Sequence, residues 1–512
     1  MKKQPIFIFI AVFICSAVIG QDKNRQELLA LKDKFYKDNL QNQAAVKAYE
    51  KRSGKPAKWS SGEKDYQIQR FDLSGKPVVL NSESNVEAAN TSGASAVWTG
   101  GSLGLNLNGQ GMIIGEWDGG AVLRTHQEFT TNRVVQVDGA TAVSSHATHV
   151  AGTLIGNGTS ASAKGMMHQG TLWAHDWNND QSEMASAALN GLRISNHSYG
   201  WLTGWYYNSS QATWYWYGST TANTSIDNLF GFYNSTAQQW DQVAFNAPDY
   251  LIVKSAGNDR GEGPAAGTSH QVWNGTSWVA STATREKDGG TSGFDCMSYS
   301  SVSKNILTVG AVNRIAAGYS GASSVVMSSF SSWGPTDDGR IKPDIVGAGV
   351  GLFSAYTPNT NSYASLSGTS MAGPNVAGSL GLVQQHAQNV RGSMLRGATL
   401  KGLAIHTAHE AGPANGPDYM FGWGLLNVAG CINTINNTST SSGIFENTLA
   451  QGSSYEINVY SDGLNPLQAT ISWYDPAGPV NANNSFNDRT ARLVNDLDLR
   501  IIRVSDGNSE LP

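Results

Sequence analysis

Between about residues 100 and 430, short apolar runs alternate with stretches of helical periodicity. "GMIIGEWDGG" (111–120), "YLIVKSAGND" (250–259), "NILTVGAV" (305–312) and "KPDIVGAG" (342–349) are too short for helices and end in turn residues. They predict buried strands. "HVAGTLIGN" (149–157), "EMASAALNGLRI" (183–194) and "PNVAGSLGLVQQHAQNV" (374–390) lie between or after them and predict helices. Buried strands alternating with helices define an α/β domain with a mostly parallel sheet. Functional side chains of such sheets gather beyond the carboxyl ends of the strands. Asp118 and Asn258 stand at two such ends.

The flanks have a different texture. "QELLALKDKFYKDNL" (26–40) has helical spacing and leads into a polar, Gly- and Pro-containing stretch, which predicts a pre-segment and linker over 21–95. Past residue 440, Tyr455, Ile457 and Val459 alternate with other residues, as do Ala469, Ile471 and Trp473, and Leu497, Leu499 and Ile501. This period of two predicts antiparallel β-structure over 440–512, with too few strands to close a sandwich.

The chain is long enough for two or three domains, at 512 residues. It begins "MKKQPIFIFIAVFICSAVIGQ": two lysines, an apolar core of about a dozen residues, then small residues, the layout of a secretory signal over 1–20. A bilayer span needs about 20 apolar residues, so no stable membrane anchor is expected. Only 14% of residues are charged and the net charge is −5, which gives no electrostatic reason to expect nucleic acid as a partner. Export permits a disulfide between Cys296 and Cys431, but two cysteines do not require one.

Two segments carry candidate chemistry. In "SLSGTSMAGPNVAGSLGL" (365–382), Ser370 opens a helical run, with Pro374 expected in its first turn. A helix N-terminus offers N–H groups and a positive dipole end to an oxygen that gains negative charge. By itself the segment reads equally as a serine N-cap. "SSHATHVAG" (144–152) supplies two histidines. A serine hydroxyl needs a base, a histidine can serve, and a carboxylate must fix the imidazole tautomer. Asp118 suits that part, held by its strand and the glycines after it. Asp138, eight residues before His146 in a polar stretch, is the rival. Asn258 could donate an amide N–H to an oxyanion together with the Ser370 N–H. A zinc reading would want His–His spacing of four with a Glu, as in HExxH, and "HATH" has neither.

With these pieces in the order Asp, His, Asn, Ser, the chain resembles the subtilisin-like serine peptidases, the subtilases, of the secreted bacterial type with a C-terminal jelly-roll-like domain. "HATHVAGT" is similar to their histidine block, "GTSMAGPNVAG" to their serine block, "SAGN" to their oxyanion block and "WDGG" to their aspartate block. "SSWGPTDDGRIKPDIVGAG" and "GWGLLN" resemble connecting segments of the family. The resemblance covers roughly residues 100–430. It implies a catalytic domain over 96–435, catalytic roles for Asp118, His146 and Ser370, an oxyanion role for Asn258, and a substrate-strand edge at Ser198 and Gly200. It also implies a propeptide over 21–95 that blocks the cleft, a partial β-domain over 440–512, protein or peptide substrates, no cofactor for the chemistry, and structural calcium as an option. The metal ligands and the oligomeric state stay open, with a monomer as the default. Ala147 stands where most members have Gly, and its methyl is expected to crowd the helix start beside His146. Gly119 replaces the usual Ser or Thr.

The segment 201–245, with Trp201, Trp205, Trp214, Trp216 and Trp240, is longer than a compact subtilase needs. It reads as a surface insertion with its own small core, or as a wall of the cleft. Two rival functions are kept. One is a catalytically silent peptide- or glycan-binding module. The other is the acid-acting serine-carboxyl peptidase class, which carries Glu and Asp where His146 and Asn258 stand.

Overall fold

The computed structural model describes residues 11–510 apart from 62–63, 72–74, 76, 83–87, 131, 299 and 462. Residues 1–10 of the signal peptide expected over 1–20 therefore lie outside the described residues.

Seven parallel strands form the central sheet. They are β4 (Ile113–Asp118), β5 (Val134–Gln136), β6 (Thr171–Asp176), β7 (Ile194–His197), β11 (Leu251–Ser255), β14 (Leu307–Val312) and β15 (Ile345–Ala348). Their order is β15-β14-β11-β7-β4-β6-β5, and every pairing is parallel. From β4 the chain goes first to the edge strand β5 and returns to β6 between them, then crosses to the other side and builds outward through β7, β11, β14 and β15. The switch point thus falls at β4, where a doubly wound sheet opens a crevice beyond its strand ends.

Both faces are covered, which is why the central strands read as nearly unbroken apolar runs. On one face, α3 (Ser145–Ile155) and α6 (Thr369–Arg391) bury Val150, Leu154, Val376 and Leu380 against Ile114, Ile194, Val253 and Val309. On the other, α4 (Asp180–Leu189) and α5 (Ser235–Asn246) bury Met184, Trp240 and Val243 against Trp117, Ile252 and Ile306. The four strands and three helices expected from the apolar runs are all present.

The N-terminal segment is more than a linker. Helix α1 (Ala11–Ser53) places Leu28 and Phe35 in the same cluster as Trp177 and Met184, and Ser182 Oγ donates to the Lys32 carbonyl at 2.7 Å. Three strands follow, β1 (Lys58–Ser61), β2 (Lys64–Phe71) and β3 (Pro77–Ser82). β3 pairs antiparallel with β8 (Tyr199–Trp201), in the register Leu80–Trp201, Asn81–Gly200, Ser82–Tyr199. Residues from 88 onward behave differently. Ala88 in helix α2 (Ala88–Ser92), together with Ala94 and Val97, packs into the main core, so 88–95 goes with the α/β domain.

The aromatic insertion forms a sheet of its own, β13-β12-β10-β9. It is built from β9 (Trp205–Asn208) and β10 (Thr213–Trp216) plus two strands beyond Asn258, β12 (His270–Trp273) and β13 (Trp278–Ser281). Trp205, Trp216 and Val272 make a small core of their own, while Trp201 and Trp240 pack with Trp117 and Ile252 of the α/β domain. Leu202, Tyr206 and Tyr217 pack instead against Val46, Ala57 and Ile68 of the N-terminal segment.

Among the described residues, the strands expected around 455–459 and 469–473 are not paired. Among the described residues of this stretch, the one ladder pairs Ile501–Ile502 with Ser509–Glu510. Alternation marks a side-chain pattern, but a strand also needs a neighbour for its N–H and C=O groups. Tyr455, Ile457 and Val459 have none and are about half exposed. Residues 472–495 dock on the α/β domain without strand pairing. Tyr474 Oη donates to the Tyr250 carbonyl at 2.7 Å, and Asp475 forms a buried ion pair with Lys304. Cys296 and Cys431 are both buried free thiols.

Candidate active site

Asp118 ends β4 at the switch point and is fully buried. Its Oδ1 accepts the Gly119 N–H at 2.6 Å. His146 is the second residue of α3, whose N-cap, Ser144, accepts the Ala147 N–H at 3.2 Å. This cap aims the first turn at the end of β4. His146 Nδ1 lies 2.7 Å from both Asp118 Oδ1 and Oδ2. A carboxylate only accepts, so the proton between them belongs to Nδ1, and Nε2 is left as the basic nitrogen. The Ala147 methyl is buried and leaves this contact intact.

Asp138, the rival carboxylate, is committed elsewhere. Its Oδ2 accepts the Asp176 N–H at 2.6 Å, and its Oδ1 accepts from Gln136 Nε2 and the Ala140 N–H. His149 is packed behind His146. Its Nε2 donates to the Ala364 carbonyl at 3.2 Å, and burial pushes its pKa down to about 3, so it stays neutral. Among the described residues no three His, Cys, Asp or Glu side chains converge as for a metal ion. Asp496 and Asp498 are both exposed.

Ser370 is the second residue of α6 and is buried. Its Oγ donates to the Ser198 carbonyl at 2.9 Å, and Ser198 Oγ donates to the Ser370 carbonyl at 2.7 Å. The second bond has a cause in the sequence. Pro374, expected in the first turn, is the sixth residue of the helix. It has no N–H for the carbonyl four residues back, which is that of Ser370. Ser198 takes up the carbonyl that the proline leaves unpaired. Gly373 makes room for this approach, since a Cβ there would sit 2.7 Å from Asn196 Oδ1.

Asn258 follows β11. Its Oδ1 accepts the Thr369 N–H at 2.8 Å, and Thr369 Oγ1 accepts the Gly257 N–H at 3.1 Å. With its oxygen held there, the amide turns its Nδ2 away from Thr369. Ser198 and Gly200 flank and form the β8 edge, and β3 of the same chain lies along that edge.

Three neighbours of the site were not legible in the sequence. Glu116 lies two residues before Asp118 and on the same side of β4. It is fully buried, neither of its oxygens has a partner, and burial together with the Asp118 charge pushes its pKa well up. Trp117 is stacked between His175 and His197 at ring separations of 4.3 and 4.9 Å. Lys58, from the N-terminal segment, donates through Nζ to the carbonyl of Gly119, next to Asp118.

This fold and geometry agree with the sequence comparisons. The chain belongs to the subtilase family, peptidase S8, which matches residues 123–424, more than half of its length. It carries a serine peptidase domain of that family. The matched span contains His146, Asn258 and Ser370 and starts just after Asp118. The C5a peptidase of Streptococcus pyogenes is 53% identical over 64 residues, 12% of this chain and 5% of that protein. The serine protease/ABC transporter B family protein tagD of Dictyostelium discoideum is 24% identical over 462 residues, 70% of this chain and 24% of that protein. The chain thus spans a small part of the length of these relatives. Among solved structures, the prenylagaramide maturation protease PagA is 20% identical, with a TM-score of 0.43 over 63% of this chain and 93% of that one. The patellamide maturation protease PatA is 19% identical, with a TM-score of 0.43 over 64% of this chain and 98% of that one. Among the described residues no helix is long and apolar enough to cross a membrane.

Proposed function

We propose that the chain is a secreted serine endopeptidase acting through Asp118, His146 and Ser370. Ser370 Oγ attacks a peptide carbonyl and gives its proton to His146 Nε2, which passes it to the leaving amine. Water then hydrolyses the acyl-enzyme with His146 again as base. Asp118 fixes the tautomer and stabilises the imidazolium. The Asn258 amide and the Ser370 N–H hold the oxyanion. Ser198 and Gly200 present the β8 edge to an extended substrate. No cofactor enters the chemistry, and a monomer with protein or peptide substrates suffices.

The observation that carries this reading is the 2.7 Å contact of His146 Nδ1 with Asp118. Its test is hydrolysis of an unfolded protein by the chain freed of its N-terminal segment, compared with Ser370→Ala. Loss of turnover by about 10⁶ supports the reading, and retained turnover refutes it.

The antiparallel β3–β8 pairing supports a propeptide role for the segment from residue 21, since it occupies the backbone groups an extended substrate would use. With 88–95 packed in the main core, release by cleavage within 83–87 follows. The alternating side-chain pattern of the segment from 440 onward supports a partial β-domain there.

One contact favours the silent-module reading: the Ser370 hydroxyl points at the Ser198 carbonyl. Rotation about χ1 breaks that bond, and reaction with a serine-directed probe separates the two readings.

A further inference from the structure

Glu116 sits in the sheet between two uncharged neighbours. In the parallel pairings of β4 it faces Ala174 of β6 on one side and Asn196 of β7 on the other. One residue along, the same register stacks Trp117 between His175 and His197, so cross-strand partners here are side-chain neighbours. Trp117 packs with Met184 of α4 and Trp240 of α5, which puts Glu116, with Asp118, on the α3 and α6 face. Glu116 and Asn196 are both fully buried. Neither Glu116 oxygen has a hydrogen-bond partner, and neither does Asn196 Oδ1. Orphaned oxygens at such depth are costly and call for a partner.

The bonds around Asn196 define what that partner must be. Ser198 Oγ has a single proton and gives it to the Ser370 carbonyl at 2.7 Å. Toward Asn196 it can therefore only accept, from Nδ2 at 2.8 Å. The Asn196 amide is thereby fixed, with Oδ1 turned away from Ser198 and in need of a donor. Val253 of β11, the other cross-strand partner of Asn196, is apolar. Gly373 of α6 approaches Asn196 Oδ1 from the helix side and has no side chain to offer. Of the two side chains that flank Asn196 in the sheet, Glu116 is the one that can carry a donor, and it does so only as a neutral acid. Ionised, it would set a bare negative charge against a carbonyl oxygen, with the Asp118 charge two residues on. Burial and that neighbouring charge both push its pKa up.

We propose that Glu116 is a neutral carboxylic acid that donates a hydrogen bond to Asn196 Oδ1 and so acts as a positioning residue for Ser370. The donors then run in one direction: Glu116 to Asn196, Asn196 to Ser198, and Ser198 to the carbonyl of Ser370. That carbonyl is the one Pro374 leaves unpaired, so the relay reaches the start of α6 at the nucleophile itself. Satisfied buried networks of this kind hold their members in one geometry. The kinetic consequence rests on the proteolytic reading, whereas the hydrogen bond does not.

Infrared difference spectra of the full chain carrying Ser370→Ala, with and without Glu116→Gln, read the protonation state at neutral pH. The expected result is the C=O stretch of a protonated carboxylic acid, lost in Glu116→Gln and shifted in Asn196→Leu. A carboxylate band in its place, or an acid band that Asn196→Leu leaves unmoved, overturns the hydrogen bond. Kinetics of the chain freed of its N-terminal segment read the positioning. Glu116→Met, similar in length but without a donor, should lower kcat about tenfold with KM within about twofold of the parent. Glu116→Gln, whose amide N–H can replace the acid O–H, should restore kcat to within about threefold. Parent-like kcat in Glu116→Met, or equal losses in both variants, overturns the positioning role. Should Glu116→Met fail to fold, the infrared outcomes decide. Should the parent itself lack turnover, the proteolytic reading fails and crystal structures of the two variants decide: Ser198 Oγ stays on the Ser370 carbonyl in Glu116→Gln and leaves it in Glu116→Met, and an unmoved Ser198 in both overturns the proposal.

Discussion

His146 Nδ1 and the carboxylate of Asp118 meet at 2.7 Å from both oxygens, inside a site closed to solvent, though 28 residues separate them in the chain. One residue comes from a strand end and the other from a helix start, so the sheet and α3 together set the contact. Asp118→Asn keeps the shape but can present an N–H to Nδ1 and stabilise the wrong tautomer. We predict a fall in kcat of about 10⁴ with little change in Tm. A loss below tenfold would show that His146 is oriented by something else.

Asn258 holds two roles that substitution can separate. Its oxygen accepts the Thr369 N–H, and its amide nitrogen is the proposed oxyanion donor. Asn258→Asp keeps the acceptor and loses the donor, so kcat should fall by about 10²–10³ while Tm stays close to that of the parent. Asn258→Leu also strands the Thr369 N–H and should lower stability by about 1–3 kcal/mol. Equal kcat in parent and Asp variant would remove Asn258 from the oxyanion site.

The N-terminal segment should inhibit when added back as a separate chain of residues 21–82. Lys58 donates to the Gly119 carbonyl and lies over the Trp177 ring at 5.9 Å. Lys58→Ala should weaken that inhibition about tenfold, the low end for a charged hydrogen bond because Lys58 is exposed. Sequencing of the processed chain should find its first residue within 84–88. A mature terminus beyond residue 97 would cut into the core and contradict the boundary.

Stability should depend on pH through Asp180. Burial pushes this carboxyl up to about 7, against the opposing hydrogen bond from Tyr199 Oη at 2.8 Å. The ordinary value is 3.8, so the fold favours the protonated acid. Its contribution is fully present below about 4 and is lost as pH rises through about 7. Asp180→Asn stays neutral throughout. Relative to it, the parent should lose Tm between pH 4 and 7, by a few degrees, and no further above. Calorimetry across pH 4–9 reads this directly, and a pH-independent difference would be the wrong outcome.

Much of the α/β domain was legible because its strands are buried on both faces and its helices carry apolar residues at helical spacing. Ser144 caps α3 within its own segment, whereas Gly368 precedes α6 with no side-chain cap to mark its start. What bound these segments together was not local. The Ser198 bond to the Ser370 carbonyl depends on a helix whose start was read too late, which put Pro374 in the first turn instead of at the sixth residue. Glu116 looked like any strand residue until its burial beside Asp118 was seen. Lys58 looked like an ordinary solvated lysine because its acceptor, Gly119, is 61 residues away. In the C-terminal stretch, the alternation of Tyr455, Ile457 and Val459 was real, but side-chain period says nothing of whether a neighbouring strand is there to pair. Ala147 showed the opposite error. A methyl expected to disturb His146 is accommodated by a capped first turn.

The most direct measurement is labelling of the chain freed of residues 21–82 with a fluorophosphonate probe at neutral pH, with the modified residue mapped by mass spectrometry. The account predicts a single label on Ser370 that His146→Ala abolishes. An unlabelled Ser370 in the folded, freed chain would contradict it and leave a peptide-binding module on a subtilase scaffold.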